Sequence, residues 1–422
     1  MDFLEVTIRR NPNLIKTAVE LHQSGKISAN TVVIDLDAVK KNAQFIRSEA
    51  EKHRISNYFM TKQYGRNPLV NKIIADLGMK AVAVDMEDVR CVHKHGILIG
   101  HVGHLSQIPK NDIEYVLKEI QPEVITVFTI EKARQISNIA KKLGINQKLL
   151  VRPIAKGDFF YPNQDGGFPE EHILDAVKTI NSFPNLKVAG VTSFPCLRFN
   201  LLTRREETLP NFDTVLRVAS RLERDLGLEI EQINTPADTS SKVMKILAEK
   251  GSTHGEPGHG FTGTTPWHAF EDLPEIPAWV YVSEVSHMVG NTAFAFGGNF
   301  MSADMCLSIW TYQYQAFRVL TLVGNDPETV IENKILGQIV PGYFDYYAPI
   351  YPREEDKVEV GDTVVYSVRN QVFASRAKVA VVSGIQNKRA KLLGIFDRTG
   401  NMLGKDDTAL NASEVKNLMK NL

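Results

Sequence analysis

Several stretches of this 422-residue chain carry side chains capable of chemistry. Lys62 directly follows the apolar run Tyr58-Phe59-Met60-Thr61. A lysine at the end of a buried strand loses hydration, which lowers its pKa toward a usable amine nucleophile and base. In open solvent the same residue is only a surface charge. Residues 251–263 hold five glycines in thirteen positions. Without Cβ atoms, successive backbone N–H groups can converge on phosphate oxygens, although such a segment also serves as a flexible loop.

Asn234-Thr235-Pro236-Ala237-Asp238-Thr239-Ser240-Ser241 reads as a helix N-terminus whose hydroxyls either cap the helix or hold phosphate. Arg152 ends the apolar run Leu149-Leu150-Val151, where an unpaired guanidinium is costly. It requires an anion there, from either a structural ion pair or a ligand. His254, Glu256 and His259 are a possible metal set. The run Gly342-Tyr343-Phe344-Asp345-Tyr346-Tyr347 is either packing or a source of phenolic acid–base groups.

The elements that must position these residues alternate in period. Strand-like runs fall at 58–61, 81–84, 99–103, 124–128, 149–152, 188–192 and 231–234, with a shorter one at Thr253-His254. Amphipathic helical stretches lie between them. In 131–143 one face collects Ala133, Ile136, Ile139, Ala140 and Leu143, and in 212–226 one face collects Phe212, Val215, Leu216, Ala219 and Leu222. About eight such units predict a closed (β/α)8 TIM barrel, at whose C-terminal strand ends Lys62, Asp85, His104, Arg152, Phe194, Thr235 and Glu256 would gather. The alternative is an open doubly wound sheet, but no G-x-G-x-x-G opens the first helix.

Beyond about residue 275, β-rich runs such as Ala278-Trp279-Val280-Tyr281-Val282 and Thr363-Val364-Val365-Tyr366-Ser367 predict a C-terminal β-domain. The early run Thr31-Val32-Val33-Ile34-Asp35 is expected to pair with it. The expected domains are an N-terminal segment 1–40 joining the β-domain, a barrel 41–275 and the β-domain 276–422.

Lys and Arg total 49 against 49 Asp and Glu, so no net field draws the chain to nucleic acid or a membrane. The expected partners are a small molecule and a second copy of the chain. Three cysteines without paired spacing exclude a disulfide framework. The start, Met1-Asp2-Phe3-Leu4-Glu5-Val6, places acids where a secretory signal would have bases, so cytoplasm is the expected location. The residues alone end at a barrel enzyme with a reactive lysine and a phosphate site.

Taken together, the motifs resemble the fold-type III pyridoxal phosphate enzymes, the group of alanine racemase and the ornithine and diaminopimelate decarboxylases. The similarity is greatest to a YhfX-like branch with an alanine-racemase-type N-terminal domain, and it spans about residues 31–385. It implies that Lys62 carries pyridoxal 5'-phosphate as a Schiff base. It further implies that Tyr64, Asp85, Arg152, Phe194, Thr235, Glu256, Gly258 and His259 line the cofactor site. Glu256-Pro257-Gly258 resembles the decarboxylase motif whose glutamate bonds the pyridine nitrogen. Phe194 stands where the relatives carry a histidine against the ring.

Gly342-Tyr343-Phe344-Asp345 resembles the racemase segment whose tyrosine is the second base, supplied in that family by the partner subunit. The resemblance thus implies a homodimeric amino-acid racemase or epimerase, with Lys62 and Tyr343 as opposing bases. The alternative is a decarboxylase of the ornithine/diaminopimelate type. Two further readings are a cofactor-carrying protein without turnover, whose relatives usually lack a β-domain, and a metal-dependent barrel hydrolase using His254, His259 and a carboxylate.

Overall fold

Short runs that are buried on both faces suit parallel strands covered by helices. In a computed structural model describing residues 3–298, 317–339, 345–369 and 371–422, eight of them close a parallel barrel. In chain order the barrel strands are Ser56–Met60, Lys80–Ala83, Ile99–Val102, Val124–Val127, Gln147–Val151, Leu186–Thr192, Gln232–Asn234 and His254–Gly255. The eighth returns to the first through His254↔Ser56 and Gly255↔Asn57, which closes the ring. This is the (β/α)8 barrel that the alternation of periods predicts.

The barrel helices start and stop on local signals. Thr129 caps Ile130–Leu143 by accepting the Lys132 N–H at 3.1 Å, and Gly144 ends the helix at φ 67°, a left-handed conformation that costs glycine little. Pro210 opens Pro210–Leu226 at its first turn, where a missing N–H costs nothing, and Gly227 closes it. Phe212, Val215, Ala219 and Leu222 are buried as their spacing requires, with Val218 in place of the half-buried Leu216.

The second compact unit comprises residues 1–45, 62–70 and 259–422, the barrel unit being 46–61 and 71–258. It holds a nine-stranded sheet. Thr31–Asp35 is buried along its whole length and lies between Trp279–Val289, antiparallel, and Lys378–Ser383, parallel. The early strand therefore joins the C-terminal β-domain, as expected.

Two N-terminal helices, Phe3–Arg10 and Pro12–Gln23, are additions to the sequence reading. Asn11 accepts the Leu14 N–H and Pro12 takes the first helical position. Leu14, Ile15, Ala18 and Val19 then pack in one core with Val33, Val280, Val282, Val365, Ala380 and Val382.

Candidate functional site

Side chains at the C-terminal ends of barrel strands share one mouth. Asp85 and His104 come two residues after the second and third strands, Phe128 and Arg152 directly after the fourth and fifth, and Phe194 two after the sixth. Thr235 directly follows the seventh and Glu256 the eighth.

Glu256 is the most constrained of them. Its side chain is fully buried. His101 Nδ1 lies 2.7 Å from Oε1, and Asn234 Nδ2 donates to the same oxygen at 2.7 Å. The far nitrogen of His101 meets Thr126 Oγ1 at 2.6 Å, which fixes the ring from behind. Burial disfavours the carboxylate, but the facing imidazoles of His104 and His101 and the two hydrogen bonds outweigh it. The pKa of Glu256 falls to about 2. Among the described residues Oε2 has no hydrogen-bond partner, and it sits 3.5 Å from His104 Nε2. A buried anion is thus held with one oxygen open to a donor.

His101, Thr126 and Asn234 are functional candidates that the sequence reading did not single out. Their signal was a polar side chain inside a short apolar barrel strand, as in Ile99-Gly100-His101-Val102.

Arg152 is also buried, at 1% exposure. Its guanidinium lies between the rings of Phe128 at 5.0 Å and Phe160 at 4.6 Å. One nitrogen, Nη2, donates to the Phe194 carbonyl at 3.1 Å, whereas Nε and Nη1 have no hydrogen-bond partner among the described residues. Burial lowers its pKa to about 10, so the group stays charged at neutral pH. Among the described residues no carboxylate lies within ion-pair distance of it. Phe194 is half-buried and meets His104 edge-on at 5.8 Å.

Other expected positions are engaged in the fold. The Asp85 carboxylate caps helix Met86–His93 by accepting the Asp88 N–H at 2.8 Å. Thr235 donates its hydroxyl to Ser252 Oγ at 2.7 Å inside the barrel wall. In the hydroxyl-rich segment that follows, the buried Ser240 Oγ has no hydrogen-bond partner among the described residues. Gly258 is buried.

Lys62, Tyr64 and His259 belong to the other unit. Lys62 opens the 3-10 turn Lys62–Tyr64, two residues past the first barrel strand, and its Nζ lies 5.7 Å from the Phe373 ring centre. Tyr64 is fully buried. His259 is buried, with Nδ1 3.2 Å from Thr264 Oγ1 and Nε2 3.3 Å from Gln371 Nε2. Burial and the charges of Arg369, Lys62 and His268 hold its pKa well below the usual imidazole range. Tyr343 lies outside the described residues.

The metal set considered from sequence is replaced by a different one. His254 stacks on Tyr58 at 5.7 Å and bonds Thr253 Oγ1 through Nδ1 at 2.7 Å. Among the described residues it is His101, His104 and Glu256 whose ligand-type atoms all lie within 4.8 Å of one another.

A cavity of about 740 Å³ opens at the opposite end of the barrel, where Ser56, Lys80, Gln147 and Gln232 begin their strands. There Tyr58 donates to Glu123 at 2.8 Å and accepts from Gln232 at 2.9 Å, ties that hold the barrel floor together.

The family model for the alanine racemase N-terminal domain matches residues 34–266, and that for the YhfX-like C-terminal domain matches 280–392. Protein YhfX of Escherichia coli (strain K12) is 34% identical over 403 residues, covering 95% of this chain and 100% of that protein. The chain belongs to the YhfX-like proteins with an alanine racemase N-terminal domain.

An alanine racemase of Methanococcus maripaludis is 27% identical to this YhfX-like protein over 164 residues, 37% of this chain and 41% of that one. Solved structures share its fold at low identity. The D-threonine aldolase of Filomicrobium marinum superposes with TM-score 0.63 at 14% identity, covering 88% of this chain and 95% of that one. The alanine racemase of Clostridium difficile 630 gives 0.61 at 15%, covering 88% and 99%. The diaminopimelate decarboxylase of M. jannaschii, in complex with L-lysine, gives 0.60 at 15%, covering 92% and 93%. Fold-type III members of the alanine racemase family use pyridoxal phosphate.

Proposed function

We propose that this YhfX-like protein is a pyridoxal phosphate-dependent amino-acid racemase or epimerase acting at the α-carbon. The observation that carries the reading is Glu256, a buried carboxylate held by His101 and Asn234, with Oε2 open to a donor. A protonated pyridine nitrogen is such a donor. The open N–H groups of Arg152 and the open hydroxyl of Ser240 suit anionic groups in the same barrel unit. The residues therefore fit the cofactor.

Lys62, Tyr64, Asp85, Arg152, Phe194, Thr235, Glu256, Gly258 and His259 are the residues that would hold it. When bound, pyridoxal phosphate supplies an electron sink for the pair left at the α-carbon. Glu256 keeps the ring nitrogen protonated, Arg152 orients an anionic group, and Phe194 offers an apolar surface beside His104. Lys62 binds the cofactor and moves a proton on one face of the α-carbon, and the Tyr343 hydroxyl serves the other face. The proposed assembly is a homodimer with shared active sites, working in the cytoplasm.

The anionic Glu256 within Glu256-Pro257-Gly258 also favours a second reading, amino-acid decarboxylation. Incubating the cofactor-loaded protein with single amino acids in deuterated water separates the two. Loss of chirality with deuterium at the α-carbon and an intact carboxylate supports racemisation. Released carbon dioxide and an amine product transfer the assignment to decarboxylation. If no proteinogenic amino acid of either hand gives one of these outcomes, the proposal falls.

A further inference from the structure

After the fifth barrel strand the chain makes an excursion before its next helix. Phe168 N donates to the Arg152 carbonyl at 2.8 Å, and Pro153–Ile154 pairs with Phe168–Pro169, so the loop 155–167 is pinched at its base. Its body is tied down as well. Asp158 accepts from Ala155 N at 2.9 Å and from Thr214 Oγ1 at 2.8 Å, and Asn211 bridges both backbone polar groups of Phe159.

This anchored loop presents Phe159, Phe160 and Tyr161, all half-buried. Phe160 covers Arg152. Tyr161 lies 5.4 Å from Phe159 and 5.7 Å from Phe194, whose ring meets His104 at 5.8 Å. His104 in turn lies 3.5 Å from Glu256. A chain of aromatic contacts therefore links Phe159 and Tyr161 through Phe194 to His104, one side chain from the Glu256 carboxylate.

We infer that this set of rings receives the substrate's side chain and selects amino acids with bulky apolar or aromatic groups. The inference rests on the function proposed above. Three rings partly exposed on a pinned loop retain apolar surface that a large hydrocarbon side chain would cover. Charge decides against a basic side chain. The guanidinium of Arg152 already lies over Phe128 and Phe160, and that of Arg198 lies 5.8 Å over Phe159. A further cation meets occupied ring faces and two like charges. An acidic side chain gains nothing from the rings and loses its hydration against them.

The test titrates the cofactor-loaded protein with both enantiomers of phenylalanine, leucine, alanine, lysine and glutamate, reading the visible absorbance of the cofactor. Phenylalanine and leucine are expected to half-saturate at concentrations roughly 10- to 100-fold below alanine, the ratio that burying one large side chain supplies. Phe159→Ala with Tyr161→Ala narrows that ratio to within about threefold, while Tyr161→Leu preserves it for leucine.

Unchanged cofactor absorbance and thermal unfolding in these variants identify the loss as one of selectivity. Lysine, glutamate or alanine binding as tightly as phenylalanine overturns the inference, as does a double variant that keeps the preference. A wild-type protein that takes up no cofactor overturns the proposed function, and this inference falls with it.

Discussion

A carboxylate inside a barrel is costly unless its surroundings answer the charge, and at Glu256 hydrogen bonds do so on one oxygen while His104 faces the other at 3.5 Å. His101 and Asn234 converge on Oε1, with Thr126 behind His101. Replacing His101 by leucine removes the partner and leaves the charge buried. The expected loss is about 3–5 kcal/mol of unfolding free energy, measured by urea denaturation at neutral pH. In His101→Leu combined with Glu256→Gln most of that loss returns, because no charge is left uncompensated. Equal losses in the single and double variants would show that the ring matters only as packing. The sequence displayed Glu256 through its neighbours Pro257 and Gly258. It did not display His101, because a histidine in a four-residue strand carries no mark of which strand it will face.

At the scale of elements, the eight barrel strands were legible because each is a short apolar run between helical stretches, and burial on both faces leaves little else for such a run to be. Their observed ends differ from the sequence reading by a residue or two. The loop 155–167 was not legible. It has no period, and its anchors come from Asn211 and Thr214, more than forty residues on. The N-terminal helices carried a readable start, Asn11-Pro12, and a readable face. Leu14→Ala in that face is expected to cost about 2–5 kcal/mol, read as a lower urea midpoint with unchanged slope.

His22, at the end of the same helix, is buried with Nδ1 2.8 Å from Thr363 Oγ1 and Nε2 3.2 Å from Glu284. Burial lowers its pKa below 6.5, and the Glu284 charge offsets this only in part. The folded state therefore prefers the neutral ring. The stability that this preference supplies is complete above pH 6.5 and declines as the pH falls below that value. His22→Gln should flatten the decline in urea midpoints measured from pH 7.5 down to 5, and an unaltered slope would remove His22 from the account.

For the whole molecule, charge balance and composition limited the partners, and the order of motifs pointed to the family that the comparisons then showed. No helix among the described residues is long and apolar enough to cross a membrane. Whether the proposed base Tyr343 would act in its own subunit or a partner's is not legible in the sequence, since that depends on a surface pairing that no periodicity encodes. Mixing Lys62→Ala and Tyr343→Phe subunits after mild dissociation tests the shared-site dimer. Activity that neither variant has alone is expected in the mixture, and its absence under conditions that exchange subunits would place both bases in one chain.

The central claim is covalent attachment of the cofactor at Lys62, and chemical trapping tests it most directly. Protein loaded with pyridoxal phosphate is reduced with borohydride, digested and mapped by mass spectrometry. The expected result is a phosphopyridoxyl group on the peptide containing Lys62, with the visible absorbance and the label both lost in Lys62→Ala. A label on a different lysine, or absorbance that survives in Lys62→Ala, would contradict the account.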